Sequence, residues 1–443
     1  MNRDITSDVW LGMRQPDWRQ TRIKRVCKIA PSFSNGRPGE LDNCTVVPME
    51  AVSEHGQIST DTLETFADVS PGLNLFENGD VIFAKITPCM ENGKGAFIEN
   101  LSTRYAFGST EFHVLRPSHE ADGRFLYYFT FNPIFRAWAE KNMHGAAGQQ
   151  RVSARFIKYT HLPLPPFPEQ KRIAAYLYAS CAAIDRAVET KQKQLDILDT
   201  LRKSIIQSAV TQGLNPDVEM TDSRVDWFGP VPSHWTCESL KRIAARTQTG
   251  TTPPTANPDY YEDGTIEWFA PECFGPTITL GPPKKMINET ALHDNKLRVF
   301  PGGTVFFVGI GATIGKVAML ETEGSANQQI VGIVCSHRML GRFLAYQLKN
   351  YEEIIPRIAQ FTTLPILNQT KVGYLPILRS PIDEQEAICE FLDAKEVELA
   401  KVEKTLNTQI TTLTAYRKSL IHECVTGKRR ITDADVEKVE AYV

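Results

Sequence analysis

Apolar and polar positions along this chain follow two rhythms, and the pair occurs twice. In the first, β-rich runs such as "DVIFAKI" (80–86), "EFHVLRP" (111–117), "GTVFFVGI" (303–310) and "QIVGIVC" (329–335) alternate with Gly, Pro and Asn. That pattern predicts short strands joined by turns. Short helices are expected at "GRFLYYFTF" (123–131) and "GRFLAYQLKN" (341–350). Both mixed stretches close on a Leu-Pro strand, "HLPLPPF" from His161 and "YLPILRSP" from Tyr374, where proline favours a strand end or turn. The second rhythm is helical. No Gly or Pro interrupts Arg172 to Gln212, and Ile184, Val188, Leu195, Leu198, Ile205 and Ala209 recur at intervals built from three and four. Leu399, Val402, Leu406, Leu413, Leu420 and Cys424 repeat the spacing. About forty residues of helix extend roughly 60 Å, and a rod with one apolar stripe needs a partner. The other copy is the expected partner, with a seam of Ile184, Val188, Leu195, Leu198 and Ile205 against Leu399, Val402, Leu406, Leu413 and Leu420. Two helices each lying on its own mixed domain is the alternative. Gly213 and Pro216 should stop the first helix. The second should end at "TGKRR", before a short amphipathic tail in "ITDADVEKVEAYV".

The two rhythms belong to a tandem duplication. Glu169–Gln170 recurs 215 positions later as Glu384–Gln385, and "RKSIIQSAVTQG" from Arg202 recurs at the same offset as "RKSLIHECVTGK" from Arg417. The leading segments also align, pairing Trp10 with Trp227 and Trp18 with Trp235. A period of half a molecule excludes a solenoid. The expected fold class is α+β: two similar mixed α/β domains in tandem, separated by two long antiparallel coiled-coil helices with pseudo-twofold symmetry. The boundaries follow as 1–165 for the first mixed domain, 166–222 for its helix and linker, 223–380 for the second domain, and 381–443 for the second helix and tail.

Composition then narrows the function. The net charge is −3, and residues 1–165 carry 18 basic and 18 acidic side chains, so there is no basic tail or globally positive domain. Nucleic-acid binding would have to come from Lys and Arg gathered locally. Nine cysteines without a C-x-x-C pair suggest neither a disulfide framework nor a zinc site. With no apolar run of membrane-spanning length and no signal-peptide core at the N-terminus, a cytoplasmic protein is expected. Catalytic signatures fail. In "GIGATIGK" (309–316), Ile310 stands where a phosphate loop needs glycine and no Ser or Thr follows Lys316, so a turn between strands is expected. "EFH" at Glu111–His113 lacks a third metal ligand, and no nucleophile elbow or zinc helix occurs. The chain reads as non-catalytic, with no metal.

The polar loops are more informative. "GAAGQQRVSARFIK" (145–158) sets Gln149, Gln150, Arg151, Ser153 and Arg155 just before the Leu-Pro strand, and Gln and Arg suit bidentate bonds to adenine and guanine edges. The matching segment "FTTLPILNQTKVG" (361–373) offers Thr362, Thr363, Asn368, Gln369 and Lys371. Other loops contribute Lys85, Asn92, Lys94, Ser109 and Thr110 in the first half, and Thr313, Lys316, Asn327, Gln328 and Gln329 in the second. These positions keep polar character while changing identity, as two domains reading two different short DNA sequences would. The near-neutral charge leaves a second possibility: a duplicated scaffold that binds proteins and no DNA.

"DWFGPVPSHW" with the Lys-Arg pair after it, "GTVFFVGIGATIGKVAM", "LPLPPFPEQKRIAAYL" and "RKSLIHECVTGK", in that order of elements across both halves, resemble the specificity subunit of type I restriction–modification systems. The resemblance implies that each mixed part is a target-recognition domain and each long helix a spacer, so that double-stranded DNA is read as a bipartite site. It also implies two modification subunits that methylate adenine with S-adenosylmethionine, and restriction subunits that use ATP and Mg. This chain would carry no cofactor. Under the resemblance, "GQQRVS" (148–153) matches the turn near the DNA and "TLPILNQT" (363–370) takes that place in the second half, while "AKITPCMENGKG" is longer than the usual glycine-rich turn.

Overall fold

The computed structural model describes residues 15, 17–69, 71–146, 148–358 and 366–441. Trp10, Thr362 and Thr363 therefore lie outside the described residues. The chain divides into two compact units, one comprising residues 1–193 with 407–443 and the other residues 194–406. Each unit takes one mixed domain, the near half of one long helix and the far half of the other.

The mixed domains share one topology. In the first unit, strands Cys27–Ile29, Phe112–Pro117, Val81–Ala84 and Gly95–Phe97 lie in that order, all antiparallel. A second sheet runs Leu63–Thr65, Asn43–Val47, Ala106–Gly108, Asn74–Phe76, with the middle pair parallel. The second unit repeats both orders with Ala244–Thr249, Ile330–Cys335, Val305–Val308 and Val317–Met319, then Lys285–Ile287, Ile266–Phe269, Gly324–Ala326 and Val299–Phe300, again with one parallel middle pair. The apolar runs are continuous because the first sheet is covered on both faces. Val81 and Phe83 face the core that includes the long helices, and Ile82 faces the second sheet; Val305 and Phe307 alternate with Phe306 and Val308 in the same way. The short helices form at Gly123–Thr130 and Gly341–Asn350. Each Leu-Pro strand pairs antiparallel with its domain's leading strand, Arg19–Arg22 with His161–Leu164 and Thr236–Ser239 with Pro376–Arg379.

The repeated glutamate–glutamine pair builds this junction in both units. Trp18 donates its indole N–H to Glu169 at 3.2 Å, and Trp235 donates to Glu384 at 2.7 Å. Gln170, 1 % exposed, accepts from the Asp122 amide at 2.7 Å and donates to the Glu120 and Pro165 carbonyls. Gln385, 0 % exposed, accepts from Leu340 and donates to Arg338 and Ser380. Asp122 and Leu340 are the N-cap residues of the two short helices, so one side chain ties helix start, loop and Leu-Pro strand together.

The long helices run unbroken over Phe167–Gln212 and Ile382–Val425. In the first unit Asp185 meets Arg417 at 2.9 Å and Glu169 meets Arg430 at 3.1 Å, so rising numbers on one segment meet falling numbers on the other. In the second, Arg202 bonds Glu396 and Glu403, while Ile206 and Ala209 share a core with Ile388 and Leu392. Within each unit the helical segments are antiparallel, and each also packs on its mixed domain. The twin "RKS" arginines are the buried pins of this pairing. Ile184, Leu399, Leu406 and Leu420 are buried; Val188, Leu195, Leu198, Ile205 and Leu413 are half-buried. Val402 is not a seam residue, being 46 % exposed. From Leu399, helical geometry allows a step of three or four to the next inward position. Apolar identity selects Val402, but Glu403 takes the inward place because its carboxylate reaches Arg202.

Both helices stop at a glycine with positive φ, Gly213 at 73° and Gly427 at 76°, a conformation that costs glycine nothing. A Cβ on either would meet a tryptophan ring, Trp235 or Trp18. The tail forms the helix Asp433–Glu440, opened by a Thr432–Asp435 capping box. Among the described residues no helix is long and apolar enough to cross a membrane, and no group of His, Cys, Asp and Glu could hold a metal.

Candidate nucleic-acid interface

Three loops far apart in sequence converge at one end of the two central strands, Val81–Ala84 and Phe112–Pro117, of the first unit's antiparallel sheet. The Lys85 amide donates to the Glu111 carbonyl at 2.8 Å, and the Val152 amide donates to the Lys85 carbonyl at 2.8 Å. Thr87 and Gln150 exchange two further bonds, and Ile86 bridges Arg151. Lys85, Ser109, Gln149, Gln150 and Arg151 are thereby gathered beside a cleft of about 320 Å³, which Asn74, Lys85, His113 and Arg151 help to line. A larger cavity, about 720 Å³, lies between Tyr127, Tyr178, Asp185 and Arg417, away from these loops.

The residue that the sequence reading passed over is Glu111. Its carboxylate grips the Arg151 guanidinium through Nε and Nη2 at 2.8–3.1 Å, and the cation holds its carboxyl below the ordinary carboxylate range. Arg151 Nη1 also donates to the Gln149 carbonyl, which fixes the plane of the guanidinium. Thr110, Gln149 and Arg155 are exposed beside this pair.

The second unit builds the same crossing from different chemistry. The Gly309 amide donates to Gln329 and the Leu367 amide donates to Gly309, both at 2.8 Å, and Ile310 bridges Ile366. Gly309 thus stands at the Lys85 position, Gln329 at that of Glu111, and Ile366 at that of Arg151. A Cβ at Gly309 would lie 2.6 Å from the Leu367 carbonyl, so lysine could not be accommodated without moving the backbone. Asn327 donates to the Gln329 side chain at 3.0 Å, and Thr252, another residue the sequence reading missed, donates to Gln328. Thr313, exposed Gln328 and half-buried Gln329 border this crossing.

Several expected readers have other work. Ser153 caps the helix Ala154–Tyr159 by accepting from the Phe156 amide, and Asn368 caps Gln369–Gly373 by accepting from Lys371. Their polar character is kept because both helices need an N-cap. The Lys94 ammonium donates to the Met49 carbonyl, Lys316 to Phe274, and Gln369 to Thr247. Asn92 and Lys371 are exposed.

His113, 7 % exposed, bonds the Val152 carbonyl through Nε2 at 2.9 Å and buttresses the loop crossing. Burial pushes its pKa down to about 4, further depressed by Lys85 and partly opposed by the carbonyl and Glu111. A histidine with a lowered folded pKa destabilises the fold as pH drops below its unfolded value of about 6.5. Between pH 7 and 5 the wild type should lose about 2 kcal/mol from this group alone. In chemical unfolding, His113→Gln should show a correspondingly shallower acid slope; an unchanged slope would refute the assignment.

The sequence profile described as the type I restriction modification DNA specificity domain matches residues 16–196 and again 232–412. The specificity subunit of the Escherichia coli type I restriction enzyme EcoAI is 31 % identical over 194 residues, 43 % of this chain and 33 % of that protein. That of EcoEI is similarly 31 % identical over 191 residues. The match thus spans about a third of the length of these curated relatives. The putative MjaX specificity subunit of Methanocaldococcus jannaschii is 21 % identical over 80 % of this chain and 79 % of its own. Among solved structures, a chain from a type I R-M system described for its complex assembly and conformational transition superimposes with a TM-score of 0.74. It is 19 % identical, covering 94 % of this chain and 99 % of that one. The HsdS subunit from Thermoanaerobacter tengcongensis gives 0.53 at 18 % identity, covering 94 % and 98 %.

Proposed function

Since this chain belongs to the type I restriction modification DNA specificity family, we propose that it is the non-catalytic reader of a bipartite double-stranded DNA site. Residues 1–165 read one half-site and residues 223–380 the other, while 166–222 and 381–443 form the spacer that sets how many base pairs lie unread. Modification subunits, two in number, bind S-adenosylmethionine and methylate adenine at the sites chosen. Restriction subunits supply ATP- and Mg-dependent cleavage. The protein works in the cytoplasm, where its DNA is.

One observation carries this reading: the same three-loop crossing occurs in both units, with Lys85, Glu111 and Arg151 replaced by Gly309, Gln329 and Ile366. Constant scaffolding with altered edge chemistry suits two readers of unlike sequences. Arg and Gln discriminate bases through paired bonds, each worth about 1–3 kcal/mol, and an exposed aliphatic group suits a thymine methyl. Candidate contacts are Lys85, Ser109, Thr110, Glu111, Gln149, Gln150, Arg151 and Arg155 in one half, and Thr313, Gln328, Gln329 and Ile366 in the other. The family assignment disfavours a scaffold that ignores DNA. Methylome sequencing of a host expressing this chain with its modification subunit should yield one asymmetric, two-part adenine-methylated sequence. No methylation by an assembled complex, or methylation without a two-part sequence, would overturn the proposal.

A further inference from the structure

The reading loops differ between the units, but one surface feature does not. After each leading strand the chain makes a tight turn, Ile23–Val26 in the first unit and Leu240–Arg242 in the second. The turn is anchored by fully buried Ile23 and Val26, or Leu240 and Ile243. It is bonded to the residue just before the Leu-Pro strand, the Ile23 amide to the Thr160 carbonyl at 3.1 Å and the Leu240 amide to the Leu375 carbonyl at 2.8 Å. This anchoring pushes a Lys-Arg pair outward, Lys24–Arg25 and Lys241–Arg242, all four exposed. Lys24 Nζ sits 4.1 Å from the centroid of the Tyr159 ring, and Lys241 Nζ sits 4.1 Å from that of Tyr374. Both tyrosines are exposed, at 43 % and 62 %.

Many cations on this protein are neutralised by carboxylates: Arg19 by Glu120, Arg116 by Asp80, Arg151 by Glu111, Arg379 by Glu238. Among the described residues no carboxylate lies within ion-pair distance of either lysine or of Arg25 and Arg242, and neither phenol hydroxyl has a hydrogen-bond partner. A duplicated site that keeps its residues while neighbouring loops diverge must serve a ligand that is the same at both half-sites. We infer that Lys24 with Tyr159, and Lys241 with Tyr374, each bind a backbone phosphate of the DNA, positioning the duplex without reading its sequence. This rests on the DNA-reading function proposed above. Lys, Arg and Tyr are typical phosphate contacts, and the aromatic face restricts an ammonium that would otherwise wander on four flexible bonds. The modification subunits would also be the same at both ends, but lysine is depleted at protein–protein interfaces relative to the rest of a surface.

The test uses the complete complex with its modification subunits and two duplexes of equal length, with and without the methylated sequence. For the double variant Lys24→Ala/Lys241→Ala, the slope of log affinity against log salt should fall by about 2, one per phosphate contact. Affinity for both duplexes should fall by the same factor, and the methylated sequence should stay the same. Lys24→Arg/Lys241→Arg should restore the slope. An unchanged slope, or a complex that no longer assembles by mass photometry, would overturn the inference, the latter assigning the patch to the partner subunits. A wild-type complex that cannot distinguish the two duplexes would instead sink the DNA-reading function itself.

Discussion

Exchanging residues 1–165 for the corresponding segment of a relative with a different target should change one half of the methylated site completely and leave the other half unaltered. The loops that converge on Lys85, Glu111 and Arg151 bond to one another, and every group in that crossing lies within the exchanged segment. The junction is transferable for a physical reason. Gln170 grips the amide of residue 122 and the carbonyls of residues 120 and 165, backbone groups that any sequence supplies. The graft must bring the side chains that meet the retained segments: the tryptophan at position 18, whose indole N–H satisfies buried Glu169, Gln15 and Asp17, which bond Gly427 and Arg430, Asn132, which bonds His422, and an apolar face for the helices. Methylome sequencing of the chimera reads the outcome directly. Changes in both half-sites would mean that the domains do not read independently, and the modular account would fail.

The duplication and its core were legible in the sequence because they rest on residue-specific chemistry. Only a primary amide carries both the acceptor and the two donors that the domain–helix junction consumes, and glutamine has one methylene more reach than asparagine, so Gln170 and Gln385 are spelled identically. The RKS arginines are buried pins, and substitution would strand a carboxylate on the facing segment. Strands such as Val81–Ala84 were legible because burial on both faces writes an unbroken apolar run. The interface was less legible. Glu111 gave no sign of pairing with Arg151, since a contact across forty residues leaves no local pattern. Ser153 and Asn368 looked like base readers because an N-cap and a groove contact call for the same side chains. Val402 was misplaced because periodicity cannot say whether the inward step is three or four when a charged neighbour can make an ion pair. Thr362 and Thr363 fall outside the described residues, so those two remain expectations from sequence.

Gln170→Ala and Gln385→Ala should each destabilise the unit that contains them by about 3 kcal/mol or more. Each truncation leaves the buried Pro165 or Ser380 carbonyl without a partner, at roughly 1–3 kcal/mol, and takes a bond from a part-buried amide and a part-buried carbonyl, which water partly repays. Against a typical domain stability of about 5–15 kcal/mol, that loss is enough to make either unit heat-labile. The neighbouring glutamates give the contrast. In Glu384→Gln the side-chain oxygen still accepts from the Trp235 indole, so the cost should stay near 1 kcal/mol, the difference between a charged and a neutral acceptor. Urea unfolding of the four single variants, Gln170→Ala, Gln385→Ala, Glu169→Gln and Glu384→Gln, separates the two roles. Because each glutamine makes three bonds of the same kind to equivalent backbone groups, the two Gln→Ala penalties should agree. The double variant should add them, since the two junctions share no partner. Unequal penalties would mean that the repeated pair is kept for different reasons in the two halves, and that identity of sequence here does not report identity of work.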